Sequence, residues 1–293
     1  MRSIVSLLSP DSLLLYLTPD KVQVVHLRGW RKRIFGLHQT PVSGASRDDF
    51  QGVLNAVLSQ VKTLRPQSVR ILLSDQFVRY FCFPWRPELR NATEELALAR
   101  LFFDESYGAN SSEGWRITFS AEVPGQARLA AAVPHALLHG LQNGLSEAKV
   151  RLLSVRTQLV AAVQAFSKLL PKTGWIMSHE QGRLSIAGWD EGGWRWVSSS
   201  RFAFVTPSHL ISRFKQELIL SGALQPGNGM PVTVNIFTPS LPKLQWESSE
   251  TLQVIHWDIP SSMLAKFQNN DGSTFMTETV MNEFSQALTG FHL

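Results

Sequence analysis

The sequence predicts an α/β protein made of two related lobes, each a mixed sheet flanked by helices. Three observations point there. The chain has 293 residues, of which 44% are hydrophobic and 17% charged, a globular composition with material for a substantial core. Short β-branched and aliphatic runs alternate with stretches of helical period. The element order of the first half returns roughly 160 residues later, a period too long for a solenoid and suited to a duplicated sheet-and-helix unit. The lobes are placed at 1–172 and 173–293.

In the first half, Ser12 to Leu17 and Val22 to Leu27 flank the turn Thr18-Pro19-Asp20-Lys21 and read as a hairpin, with Arg33 to His38 as a third strand. A helix follows. Ser46 is expected as its N-cap, Asp48 and Asp49 lie in its first turn, and Phe50, Val53, Leu54, Val57, Leu58 and Val61 recur at helical spacing before Pro66. Val69 to Leu73 and Phe77 to Phe83 read as strands. The next helix runs from Ala92 to Tyr107, capped by Asn91 or Thr93 and stopped by Gly108. Trp115 to Ala121 and Arg128 to Val133 flank a turn at Pro124-Gly125. Pro134 opens a helix carrying Leu137, Leu138, Leu141 and Leu145, where its missing amide proton costs little. Val150 to Val155 is a strand, and a helix spans Thr157 to Leu170.

Beyond Pro171-Lys172-Thr173-Gly174 the pattern restarts. Trp175 to Ser178 and Arg183 to Ala187 flank the turn His179-Glu180-Gln181-Gly182, and Trp194 to Val197 supplies a third strand. Pro207 opens a helix through Leu210, Ile211, Phe214, Leu218 and Ile219, ended by Gly222. Val232 to Phe237 and Leu252 to Trp257 are strands, and a last helix is expected over 277–288.

The net charge is +5, and its densest run is Arg28-Gly29-Trp30-Arg31-Lys32-Arg33. Such a run is either a solvated hairpin end or a patch for an acidic partner, an anionic membrane surface or nucleic acid. No nucleic-acid-binding motif surrounds it, so a nucleic-acid partner is not expected. Cys82 is the only cysteine and lies in the apolar run Tyr80-Phe81-Cys82-Phe83, where a buried, inert thiol is expected. The lack of a disulfide framework fits a reducing compartment. The apolar N-terminus is interrupted by Ser9-Pro10-Asp11-Ser12, and no other stretch approaches the ~18 apolar residues a span requires. A cytoplasmic protein is expected, with membrane contact made through a partner.

Residues 73–107 carry a closer signal. Leu73-Ser74-Asp75-Gln76-Phe77-Val78-Arg79-Tyr80, then Phe83-Pro84-Trp85, then the Glu94-Glu95 helix ending at Phe103, Tyr107 and Gly108, resemble a stretch of the bacterial assembly-platform family. That family comprises PilM and the cytoplasmic domain of GspL, the actin-like (ribonuclease H-like) components of type IV pilus and type II secretion machines. The duplicated order fits that fold along nearly the whole chain. The letter-level likeness is confined to about thirty-five residues.

The resemblance implies a non-catalytic cytoplasmic scaffold peripheral to the inner membrane. It would bind the cytoplasmic tail of a bitopic platform protein and an assembly ATPase, with a homodimer among the assemblies such proteins allow. The family's GspL members continue into a membrane span and a periplasmic domain. The end at Leu293 is expected to correspond to the PilM-like arrangement or to a separately encoded GspL-like domain.

Actin-like proteins hold ATP between their lobes on glycine-bearing hairpins whose amides meet phosphate and whose Asp helps place Mg²⁺. Here Thr18-Pro19-Asp20-Lys21 has no glycine, and Pro19 removes an amide donor. The second hairpin has a single glycine and is expected to lack an acidic residue at its strand end. The late strand Val232 to Phe237 leads into Thr238-Pro239-Ser240-Leu241 without glycine, while Gly227-Asn228-Gly229 precedes it as a turn. Weak or absent ATP binding, no hydrolysis and no cofactor are expected. The alternative is an ATP-binding actin-like ATPase or kinase with divergent phosphate loops.

Other chemistry is sparse. His135 and His139 share a helix face at i, i+4, without acidic or Cys ligands at metal spacing. His179 and Glu180 are expected to be solvated in their turn. Asp190-Glu191-Gly192-Gly193 is too short for a calcium loop and fits a hairpin. No Gly-x-Ser-x-Gly elbow or Cys/His pair suggests a nucleophilic enzyme. Arg79, in an otherwise apolar strand, requires a wet face, a carboxylate at Glu94 or Glu95, or an acidic partner. Trp85 either covers the core or makes a contact hot spot. Alternation places Trp194 and Trp196 on one face, a binding surface if no helix covers it. Arg79, Trp85, Trp194 and Trp196 are therefore the candidate partner-binding residues.

Overall fold

The computed structural model of the chain describes residues 11–28, 33–42, 50–166, 170–180, 182–203, 206–223, 232–237 and 252–256. In chain order the strands are β1 (Ser12–Leu17), β2 (Lys21–Arg28), β3 (Arg33–Pro41), β4 (Ser68–Leu73), β5 (Arg79–Phe83), β6 (Trp115–Phe119), β7 (Arg128–Pro134), β8 (Arg151–Thr157), β9 (Gly174–Glu180), β10 (Arg183–Asp190), β11 (Gly193–Arg201), β12 (Val232–Phe237) and β13 (Leu252–His256). The helices are α1 (Gln51–Leu64), α2 (Ala92–Tyr107), α3 (His135–Glu147), α4 (Gln158–Phe166) and α5 (Pro207–Leu220).

The chain divides into two compact units. Among the described residues, one comprises 11–78 and 133–161, the other 79–132 and 162–256. The lobe boundary at 172/173 follows the sheet repeat and stays a proposal.

In the first unit the sheet order is β3-β2-β1-β4-β8. All six residues of β1 are buried, as a central strand covered on both faces requires. β1 pairs antiparallel with β2 and parallel with β4, and β4 pairs parallel with β8. α1 buries Val53, Ala56, Val57 and Val61 along one stripe. It begins at Phe50 without a side-chain cap. The expected Ser46 cap and the acidic Asp48 and Asp49 lie outside the described residues.

In the second unit the five-stranded sheet has the order β11-β10-β9-β12-β13, with the same senses of pairing, so the predicted duplication is seen in topology. α5 covers one face through Leu210, Phe214 and Leu218, against Trp175, Met177, Leu184 and Ile186. Its start combines Pro207 in the first turn with Thr206, whose hydroxyl accepts the His209 amide.

A three-stranded sheet, β5-β7-β6, belongs to the same unit. α2 covers it, and Phe81, Phe83, Ala99, Phe103, Ile117, Ala130 and Ala132 form its core. Asn91 caps α2 by accepting the Thr93 and Glu94 amides, both at 3.0 Å, while Glu94 accepts the Arg90 amide at 2.7 Å. Gly108 ends the helix at φ 109.

Sequence and structure differ at a few ends. β9 runs two residues past its expected end, to Glu180; the described part of α4 is Gln158–Phe166, and 167–169 of its expected span lie outside the described residues. The expected 277–288 helix, the 238–241 loop, Gly227-Asn228-Gly229 and Gly29-Trp30-Arg31-Lys32 lie outside the described residues.

Candidate functional site

The first hairpin turn closes on itself. The Thr18 amide donates to the Lys21 carbonyl at 3.0 Å, and the Lys21 amide donates to the Thr18 hydroxyl oxygen at 3.1 Å. The Thr18 hydroxyl in turn reaches Asp20 Oδ1 at 2.7 Å. Pro19 has no amide proton. Three of the four turn residues thus present no amide to a ligand, and the Asp20 carboxylate already has a donor.

The second hairpin departs from expectation. β9 extends to the Glu180–Arg183 pair, so His179 and Glu180 belong to the strand and not to the turn. Glu180 is 5% exposed and His179 is also buried, so neither is solvated. The strand does end on an acidic residue, contrary to the sequence expectation. Burial pushes the His179 imidazole below its ordinary value, partly offset by a backbone hydrogen bond at Phe202. Gly182 has φ +75, and a Cβ there would meet nothing within 4 Å.

Three carboxyl-terminal strand ends in the first unit meet in a polar cluster that the sequence did not reveal. The Tyr16 hydroxyl donates to Gln158 Oε1 at 2.5 Å. Asp75, 1% exposed, follows β4 and accepts the Leu159 amide at 3.1 Å, so it caps α4 across 84 residues of sequence. These contacts bind β1, β4 and β8 together at the end where open α/β sheets place ligands. On β8, Arg156 is buried and held down to about 10, first by desolvation and then by Arg70.

Arg79 is half-buried and lies over aromatic rings: 4.4 Å from the Trp115 centroid, 4.9 Å from Tyr107 and 5.9 Å from Phe103. The carboxylates expected to neutralise it are engaged elsewhere. Glu95 binds Arg128 at 3.0 Å, and Glu94 closes the start of α2. The signal was present in Trp115 and Tyr107, but only folding brings them to Arg79. Trp85 is half-buried.

The expectation that Trp194 and Trp196 share a face fails because β11 carries a bulge. Trp189 pairs with Trp194 and Gly188 with Trp196, leaving Arg195 as the extra residue. Trp196 packs with the core under α5, and its indole N–H donates to Glu217 at 3.2 Å. Trp194, 8% exposed, turns to the other side, meets the Trp189 ring at a tilt of 60° with centroids 5.6 Å apart, and donates to Glu122 at 3.0 Å.

The β10–β11 tip, read from sequence as a turn, is docked. The Ala127 amide donates to the Gly192 carbonyl at 2.9 Å, the Trp194 amide to the Ala127 carbonyl at 3.1 Å, and the Gln126 side chain to the Glu191 carbonyl at 2.9 Å. Gly193 has φ +97, and a Cβ there would lie 2.5 Å from the Ala127 carbonyl oxygen. Only glycine fits.

His135 and His139 stack at 5.9 Å on an exposed helix face. No group of metal-ligating side chains is found among the described residues. Cys82 is free and half-buried rather than fully buried as expected, and desolvation pushes its thiol up to about 12. No helix among the described residues is long and apolar enough to cross a membrane.

No protein-family model matches the chain, and no curated protein matches it. Solved structures do. The cytoplasmic domain of EpsL, an inner membrane component of the type II secretion system of Vibrio cholerae, is 13% identical with a TM-score of 0.53, the match covering 97% of this chain and 96% of that one. A Bacteroides thetaiotaomicron protein with an actin-like ATPase fold is 13% identical with a TM-score of 0.54 over 80% of this chain and 85% of that one. The PilM-PilN type IV pilus biogenesis complex matches at 11% identity and a TM-score of 0.53, over 78% of this chain and 81% of that one. Together with the repeated sheet order, these likenesses identify the fold of this chain as actin-like.

Proposed function

We propose that the chain is a non-catalytic scaffold of an inner-membrane assembly platform, of the type II secretion or type IV pilus kind. Its task is to bind the cytoplasmic segment of a bitopic partner and to connect it to an assembly ATPase. The observation that carries this reading is the self-closed Thr18–Lys21 turn. The fold retains its frame, but the turn that would offer amides to a triphosphate spends them on Thr18 and Lys21. Likeness to EpsL and to PilM in its complex with PilN supports the platform role and the capture of a partner segment. Partner contact is proposed at Arg79 and Trp85. Trp194 and Trp196, tied to Glu122 and Glu217, serve the frame.

A second reading, an ATP-binding ATPase or kinase, draws on one observation: β9 ends on the buried carboxylate Glu180.

Scanning calorimetry with a peptide copied from the cytoplasmic tail of a candidate bitopic partner separates the two. At a hundredfold excess over Kd a segment that binds only the folded chain stabilises it by about 2.7 kcal/mol. Arg79→Ala or Trp85→Ala should reduce the shift. An unshifted transition in the peptide, with a shift in Mg-ATP, would replace the scaffold by the nucleotide enzyme.

A further inference from the structure

We propose that the second unit binds a small organic carboxylic acid, in the cavity between the end of β11 and the outer side of α5. This goes beyond the scaffold reading, which assigns the chain no small-molecule ligand, and it stands without that reading.

The cavity has a volume of about 550 Å³. Ser200, Arg201 and Phe202 line it from the end of β11, and His209, Ser212 and Arg213 from α5. The three α5 residues are spaced i, i+3, i+4 and so form one stripe, while Leu210, Phe214 and Leu218 bury the opposite stripe in the core.

The polar groups are held in place from behind. Glu217, 2% exposed, accepts Arg213 Nη2 at 2.5 Å and the Trp196 indole N–H at 3.2 Å. That fixes one edge of the guanidinium. The other nitrogen, Nη1, reaches Gln216 Oε1 only at 3.5 Å, a contact that yields to a stronger acceptor. The His209 ring lies 4.9 Å from the Phe202 ring at a tilt of 36°. The Ser200 and Ser212 hydroxyls make no hydrogen bond to another described residue.

Charge selects the ligand class. Arg201 stands opposite Arg183 across β10 and β11, and Arg183 stands opposite Glu180 across β10 and β9. Glu217 offsets Arg213. Three arginines thus meet two carboxylates, an excess of one cation. Like charges opposed in a ladder cost stability, and among the described residues no carboxylate pairs with Arg201. One carboxylate removes the excess, and its two oxygens match the planar fork of a guanidinium. A phosphate monoester, at about −2 near pH 7, would be left half matched. The volume falls within the range of about 300–1,000 Å³ that small-molecule sites occupy, so an organic body accompanies the carboxylate, against Phe202 and Ala203.

The test is saturation-transfer NMR of the full chain titrated with benzoate, benzamide and phenyl phosphate. Benzoate is expected to bind saturably, phenyl phosphate more weakly, and benzamide, the neutral counterpart, not at all. Arg201→Ala should raise the benzoate Kd about tenfold, and Ser212→Ala about fivefold. Lys215→Ala, on the same helix but outside the lining, should leave it unchanged. Circular dichroism and melting of each variant confirm folding. No saturable benzoate signal, benzamide bound as tightly as benzoate, or equal losses in Arg201→Ala and Lys215→Ala would overturn the proposal. Phenyl phosphate bound more tightly than benzoate would overturn the carboxylate assignment, and tetraglutamate bound more tightly would overturn the small-molecule source. Arg79 and Trp85 take no part in this cavity, so the peptide-induced stabilisation and the benzoate titration fail separately.

Discussion

In the first sheet, β2 and β3 pair Arg28 with Arg33 and Leu27 with Ile34, pass over Phe35, and resume with His26 and Gly36. In the second, β10 and β11 pair Asp190 with Gly193 and Trp189 with Trp194, pass over Arg195, and resume with Gly188 and Trp196. The two hairpins bulge at the same step from the tip. Their chemistry is opposed. The second tip is acidic, its bulge residue Arg195 is held by Asp190 at 2.6 Å, and it is seated on Ala127. The first is basic, and its bulge residue is an exposed phenylalanine. The two hairpins share the bulge, but one tip is docked on Ala127 while the other hairpin carries an exposed Phe35 at the equivalent step.

The docked tip should be the more sensitive. Gly193→Val forces a β-branched side chain into φ +97 and onto the Ala127 carbonyl, and a loss of about 3 kcal/mol is expected from urea midpoints. Gly182→Ala, at φ +75 with open space around it, should cost only about 1 kcal/mol. Equal costs would mean that the Ala127 contact does not hold the second tip.

The inner strands differ too. On β1, Tyr16→Phe removes the donor to Gln158 and leaves a buried carbonyl oxygen without it, for a loss of about 1.5 kcal/mol in the same measurement. On β9 the relevant group is His179, buried and depressed in pKa. The unfolded chain takes up its proton near the ordinary value of about 6.5, before the folded chain does. The stability this histidine contributes is therefore complete above that pH and is lost as pH falls toward the folded value. Urea midpoints should decline over that window in the native chain, and the decline should be shallower in His179→Gln. An unchanged slope would show that His179 is not the group responsible.

Much of the frame was legible because it is local. Asn91 and Gly108 mark α2, Pro207 marks α5, and the returning hairpin betrays the duplication. What escaped reading depends on single residues or distant partners. One extra residue at Arg195 or Phe35 leaves an alternating run looking intact while sending Trp194 and Trp196 to opposite faces. Glu180 looked like a turn residue because polar letters near glycine resemble a turn, yet pairing with Arg183 keeps it in the strand. The stacking of Arg79 on Trp115 and the capping of α4 by Asp75 join residues that only the tertiary fold brings together. Thr18 could be read as a turn residue, but not as the side chain that satisfies the Lys21 amide.

The scaffold role depends on that turn. Titration calorimetry of Mg-ATP into the full chain addresses it most directly: closure of Thr18 on Lys21 and Asp20 predicts no saturable heat. Saturable micromolar binding that disappears in Asp20→Ala would contradict it.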